Sequence, residues 1–213
     1  TLISQNTLLH CHAVSGSADR AEALLKRMIQ SDNLEVDVVS WNTCLHAWSK
    51  AGDPFRAEQL LMEMVSEVEA HGKKGNAKKS RVVNPDVRSF SIVLQAWAKQ
   101  RTVEASKHAE AILKHMHAMG NRCSPDTIAY NTVITAWMKA AVASGRQKDV
   151  VAECASRADS LLLDMEKQQA ASKQNKVRPD KLSYDSVIQL WKWAGHSERA
   201  DELQEKIPLV ARS

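Results

Sequence analysis

The sequence predicts an all-α solenoid, a stack of two-helix repeats, and three observations carry that prediction. The first is a stretch of text written over and over: Val38–Lys50 reads VVSWNTCLHAWSK, Val87–Lys99 VRSFSIVLQAWAK, Thr127–Lys139 TIAYNTVITAWMK and Lys181–Trp193 KLSYDSVIQLWKW. A frayed copy, Leu2–Cys11, opens the chain. The second is another text that follows each copy: Ala21–Met28 (AEALLKRM), Ala57–Met64 (AEQLLMEM), Ala109–Met116 (AEAILKHM) and Ala158–Met165 (ADSLLLDM), with Ala200–Leu203 beginning a fifth. The third is a shared boundary, Asn84-Pro85-Asp86, Ser124-Pro125-Asp126 and Arg178-Pro179-Asp180, kept as Val36-Asp37 without the proline. Repeats of this kind bury their apolar faces only against their neighbours, so one continuous stack is expected over residues 1–213.

The repeats span residues 2–37, 38–86, 87–126, 127–180 and 181–213, the last a partial one. Each opens with a helix, A. Trp41, Cys44, Leu45 and Trp48 fall at i, i+3, i+4 and i+7, one face of such a helix. The large fourth residue (Trp41, Phe90, Tyr130, Tyr184) and the eleventh-position tryptophan (Trp48, Trp97, Trp137, Trp191, with His12 in the first repeat) read as core. The second text makes helix B, its alanine, Leu/Ile-Leu pair and methionine forming an equivalent stripe. The acid in its second position is expected to face water near the helix start, where the dipole favours it.

Punctuation separates the helices. Lys50-Ala51-Gly52-Asp53-Pro54 supplies a glycine stop, an aspartate cap and a proline in the next first turn. Gly16-Ser17-Ala18-Asp19 and Gly195-His196-Ser197 repeat the device. At repeat ends proline halts the preceding segment and aspartate stands at the mouth of the next A helix. Repeat length is uneven. Insertions fall near 69–83, a basic loop containing GKKGNAKKSR, and within 143–176. In the latter, Ala143–Lys148 lengthens the A–B turn and Lys167–Lys176 extends helix B.

Composition narrows the function classes. With 44% hydrophobic and 25% charged residues the chain has the makings of an ordinary buried core. No run of about 18 apolar residues offers a transmembrane helix, and no secretory or transit sequence is present. The chain starts at Thr1 inside a helix, as a piece of a longer protein would. Cys11, Cys44, Cys123 and Cys154 are far apart without a Cys-x-x-Cys pair, which fits a reducing compartment. A net charge of +4 is compatible with a nucleic-acid partner. The histidines of His10-Cys11-His12 and His108, His115 and His117 lack the spacing of a closed metal site. No nucleophile–base constellation or glycine-rich phosphate cradle is visible. No cofactor, metal, small-molecule substrate, membrane or catalysis is expected.

An A-helix text near V-x-[ST]-[YWF]-N-T-x-I-x-A-[YW]-x-K, a B-helix text A-E-x-L-L-x-x-M and a terminal Pro-Asp closely resemble the pentatricopeptide repeat. The likeness covers nearly the whole chain, and the uneven repeat length departs from it. It implies a right-handed α-solenoid that binds single-stranded RNA on a concave A-helix face, about one base per repeat. In that family the fifth residue of helix A and the last residue of the repeat read the base edge. The pairs are Asn6 with Asp37, Asn42 with Asp86, Ser91 with Asp126 and Asn131 with Asp180, while Asp185 has no visible partner. The family's code implies U-U-G-U. Position two stacks on bases and holds Ile3, Val39, Arg88, Ile128 and Leu182; position thirteen faces phosphates and holds Lys50, Lys99 and Lys139, with Trp193 in the last repeat.

Two function classes follow from the resemblance. One is a sequence-selective RNA-binding factor of mitochondrial or plastid RNA metabolism. The other is a scaffold subunit of a large organellar ribonucleoprotein, such as a ribosome, which contacts protein and rRNA without reading sequence. The insertions suit the second as custom contact loops. Bland alternatives stand beside the site residues: the terminal aspartates serve as caps, and the asparagines as polar residues of a first helical turn.

Overall fold

The computed structural model describes residues 2–31, 36–72, 83–171 and 177–210. Among the described residues the regular structure is helical, ten α-helices and a short 3-10 turn, with no strand. In chain order they fall into five A–B pairs: α1 (Leu2–Val14) and α2 (Ala18–Gln30), α3 (Val38–Ala51) and α4 (Pro54–Gly72), and α5 (Val87–Ala98) and α6 (Val103–Ala118). The last two are α7 (Thr127–Ala143) with α8 (Lys148–Ala171), and α9 (Lys181–Ala194) with α10 (Ser197–Val210). Each A text is an odd-numbered helix and each B text an even-numbered one. The basic stretch Lys73–Arg81 lies outside the described residues.

The chain divides into two compact bodies, Thr1–Ala96 and Trp97–Ser213. In the first, α3 packs against α1, α2 and α4. In the second, α7 packs against α6, α8 and α9, and α9 also against α8 and α10. α3 and α7 each therefore contact both their own helix B and a neighbouring repeat. The fourth-position Trp41, Phe90, Tyr130 and Tyr184 are all buried, as are Trp97 and Trp137. Trp48 and Trp191 are half-buried. On the B helices Ala21, Leu25 and Met28, and likewise Ala158, Leu162 and Met165, are buried at the expected spacing.

The acid at the second position of helix B departs from expectation. Glu22 is only 5% exposed and Asp159 only 9%, so neither faces water. Each meets an arginine from the next B helix. Arg56 grips Glu22 through Nη2 to Oε1 and through Nε to Oε2 at 2.9 Å, and Trp48 Nε1 donates to Oε2 at 2.8 Å. Arg199 holds Asp159 with Nε and Nη2, both at 3.1 Å. Arg157 reaches Glu110 at 3.5 Å. All three arginines directly precede the B-helix alanine, so an inter-repeat ion pair is part of the repeat itself. A buried carboxylate requires such a partner, and the local dipole argument looked for none.

The turns differ in detail. Gly52 and Gly195 end their helices in the left-handed conformation (φ 80° and 85°), and Asp53 Oδ1 accepts the Arg56 N–H at 2.9 Å. Ser17, by contrast, makes no side-chain cap bond. The insertion of repeat four enters helix A more than the turn. α7 runs 17 residues against 12 in α5, because the run Ala140-Ala141-Val142-Ala143 continues the helix and buries Ala140 and Ala141.

Candidate functional site

At the starts of α3, α5 and α9 the structure brings three side chains together from two repeats. In the first body Asp37 N-caps α3, its Oδ1 accepting the Ser40 N–H at 2.9 Å. Asp86 does the same for Ser89 at 2.8 Å. In the second body Asp126 accepts from Ala129 N at 2.8 Å and Asp180 from Ser183 N at 2.9 Å. A cap of this kind stabilises by about 1 kcal/mol. The aspartates are therefore caps, and three of them also hold a fifth-position amide.

Asn6 Nδ2 donates to Asp37 at 3.4 Å and Asn42 Nδ2 to Asp86 at 3.3 Å. Asn131 Nδ2 lies 3.1 Å from each Asp180 oxygen. The other end of each amide is held by a serine at position three of the following repeat. Ser40 Oγ donates to Asn6 Oδ1 at 2.6 Å, Ser89 to Asn42 at 2.7 Å, and Ser183 to Asn131 at 2.6 Å. The amide orientation is thereby fixed, nitrogen toward the carboxylate and oxygen toward the hydroxyl. An amide has two N–H donors and two acceptor lone pairs. One of each is used internally, and one donor beside one acceptor remains to offer.

Burial works against the charge on Asp37 and Asp86. The serine backbone N–H and the asparagine amide, which both donate to the carboxylate, outweigh it and hold both carboxyls below their ordinary value of 3.8. These aspartates stay ionised and keep accepting at neutral pH.

Repeat three breaks the pattern in two places at once. Its fifth residue is Ser91, whose Oγ turns back onto Val87 O at 2.8 Å. Position three of the following repeat is Ala129. Serine at that place thus accompanies asparagine and is absent where asparagine is absent. Sequence reading missed Ser40, Ser89 and Ser183; the signal for them was the recurring Asp-x-x-Ser of a capped helix start.

One turn away stand the position-two side chains, and they are exposed. Ile3 is 80% exposed, Val39 55%, Ile128 68% and Leu182 54%; Arg88 is exposed as well. A single exposed aliphatic needs no explanation. Four at one repeat position form a set that the fold does not use for packing. Asp185 is exposed on α9. Lys50 and Lys99 are exposed and Lys139 is half-buried, and none of the three has a carboxylate partner among the described residues.

In the first body these positions converge. A groove of about 430 Å³ runs along α1, α3 and α5, lined by His10, Val39, Asn42, Lys50, Arg88 and Ser91 among others. Its wall combines an apolar side chain, a fixed amide edge and two cations. That chemistry suits a flat ring with a mixed donor–acceptor edge, tethered to an anion.

The remaining polar side chains go elsewhere. His108 stacks on Trp97 with centroids 4.2 Å apart. His117 meets Tyr130 Oη at 2.9 Å, a hydroxyl that also accepts from Gln168 Nε2. No group of three or more metal-binding side chains converges among the described residues. Cys44 and Cys154 are buried and free, and burial pushes their thiols up to about 12 and about 11, so neither is a thiolate nucleophile. No helix among the described residues is long and apolar enough to cross a membrane.

Comparison with known proteins gives consistent results. The family model of the PPR repeat matches residues 6–33 and 39–67. A pentatricopeptide repeat-containing protein of Arabidopsis thaliana is 35% identical over 69 residues, 32% of this chain and 11% of that protein. Two crystal structures of the pentatricopeptide repeat protein PPR10 in complex with an 18-nucleotide psaJ RNA element, one a cysteine-to-serine variant, share the fold. Each gives a TM-score of 0.52 at 19% identity, covering 97% of this chain and 25% of PPR10. The chain thus spans a quarter or less of the proteins it matches. Two repeats match the family model, and the same helix pair is written five times around the same capped boundary, so the chain is similar to pentatricopeptide repeat proteins in repeat text and in fold.

Proposed function

We propose that this chain is a non-catalytic module that binds single-stranded RNA and selects sequence through its A helices, about one base per repeat. The observation that carries the reading is the pairing of two features in one place. An amide locked between Asp and Ser presents one donor and one acceptor, and beside it stands an exposed position-two side chain the fold leaves unused. A uracil edge offers the complementary acceptor and N–H, and a base face is satisfied by an aliphatic or guanidinium surface. Asn6/Asp37, Asn42/Asp86 and Asn131/Asp180 then favour U. Ser91 with Asp126, by the family's code, favours G, and Asp185 starts a reader that lacks its second residue. Lys50, Lys99 and Lys139 supply phosphate contacts. The crystallised relative PPR10 binds an RNA element, which supports an RNA partner here. The resemblance to pentatricopeptide repeat proteins supports a mitochondrial or plastid setting in RNA metabolism, and one continuous domain over 1–213.

Selection from a randomised single-stranded RNA pool at about 150 mM salt tests the reading. Enrichment of a UUGU core is expected. Asn131→Thr with Asp180→Asn is expected to move the preference at one base from U toward A. Binding without enrichment that vanishes with salt would refute sequence reading and favour the ribonucleoprotein scaffold.

A further inference from the structure

The A–B turns solve one steric problem in two ways. A helix that doubles back within a few residues commonly takes a left-handed residue just past its end, and glycine does so without a Cβ penalty. Gly16, Gly52 and Gly195 fill that role at φ 75°, 80° and 85°. Repeat three uses Arg101 there at φ 57°, and the longer turn of repeat four follows its left-handed Gly145 (φ 69°) with a second left-handed residue, Arg146 at φ 59°. These are the only non-glycine residues with positive φ among the described ones. A side chain in this region is strained, and the turn itself has no need of a guanidinium.

Both arginines come to the same place in the next repeat. Arg101 lines a groove of about 260 Å³ with Met138, Lys139 and Val142 of α7. Arg146 lies with its guanidinium carbon 4.4 Å from the centroid of Trp193 on α9. Lys139 and Trp193 both occupy position thirteen, so in each case a turn arginine stands beside position thirteen of its successor. Trp193 replaces the lysine that repeats two to four carry, and Arg146 returns a positive charge to that spot. Neither Arg101 nor Arg146 has a carboxylate partner among the described residues, unlike Arg157 and Arg199 on the B helices of the same body.

We propose that Arg101 and Arg146 form a second row of contacts to the RNA sugar–phosphate backbone, beside the position-thirteen row, and that Arg146 on Trp193 replaces the cation the fifth repeat lost. The proposal rests on the RNA reading above. The geometry favours phosphate as the ligand, because an unpaired guanidinium next to a lysine is a poor neighbour for anything but an anion.

The test is the Arg101→Gly/Arg146→Gly double variant of the whole chain, with Arg→Asn at both sites as a second variant tolerant of the left-handed backbone. Binding to a labelled single-stranded RNA pool is measured across a salt series, and thermal unfolding is followed in parallel. The expected result is a Kd raised about three- to tenfold, with the slope of log K against log salt reduced by about 1.4, two phosphates at 0.7 each. The melting temperature should hold or rise, since glycine relieves the turns. An unchanged salt slope with a lowered melting temperature would overturn the proposal and make Arg146–Trp193 a structural staple. If the parent chain itself fails to bind RNA, both the reading and the proposal fall; if only the double variant behaves like the parent, the proposal alone does.

Discussion

The A helices and the B helices use charge in opposite ways. Along the B helices, charge is consumed within the protein: Glu22 is closed off by Arg56 and Lys26, Asp159 by Arg199, Glu110 by Arg157 and Lys114. Along the A helices, Lys50, Lys99 and Lys139 have no carboxylate partner among the described residues, and the aliphatic side chains beside them face water. The first pattern fastens one repeat to the next. The second leaves surface energy unspent, as a binding face must. Function is therefore to be sought on the A side, and stability tested on the B side.

The sharpest way to break that division is Glu22→Gln. The amide leaves Arg56 without its counter-charge and weakens the Trp48 Nε1 bond. Because the Arg56 side chain is 29% exposed and can turn to water, the loss belongs below the usual range for a buried pair, about 2 kcal/mol. Urea unfolding measures it. RNA affinity, referred to folded protein, should stay unchanged; a matching loss of affinity would mean the two faces are not separate.

A smaller effect is expected from Lys50, Lys99 and Lys139 changed together to alanine. All RNAs should weaken about equally, the salt slope should fall by about 2, and stability should barely move. Sequence-selective loss would contradict a phosphate role and shift these lysines to base reading.

How legible this division was in the sequence differs between the faces. The helices, their order and their apolar stripes could be read because the text is repeated, and a period of 3.6 shows within one segment. The capping aspartates and the fifth-position residues also stood out at fixed places. What local reading missed lies one repeat away. Glu22 finds Arg56 across 34 residues, and no helical-turn rule links them, so the acid was expected at the surface. Ser40, Ser89 and Ser183 serve the asparagine of the preceding repeat, across 34, 47 and 52 residues. Only the joint change at Ser91 and Ala129 betrays that link in the text.

That link can be sharpened by Ser183→Ala. Asn131 Oδ1 loses its donor and the Asp180 N–H loses the hydroxyl it reaches at 3.1 Å. A stability loss of about 1 kcal/mol is expected. If serine positions the amide, U discrimination at that one base should fall several-fold, and Ser183→Thr should restore it. Lost stability with discrimination intact would reduce the serine to a capping residue.

The smallest effect is the acid limb of stability, and it again separates the faces. Asp37 and Asp86 have folded-state values below their ordinary 3.8, and Glu22 lies below its ordinary 4.5, where Arg56 and Lys26 outweigh burial. The folded state therefore binds fewer protons than the unfolded chain, and stability rises with pH through this range. The contribution is complete above the ordinary values and is lost as pH falls through the lowered ones. Going down from neutral pH, the Glu22 contribution should begin to fade near 4.5 and the aspartate contribution near 3.8. Asp86→Asn keeps a capping oxygen but cannot titrate, so its unfolding midpoint should fall less steeply below 3.8 than the parent's. Glu22→Gln should flatten the curve already from 4.5. Identical slopes in all three proteins would mean that neither face holds its carboxylates by the contacts described.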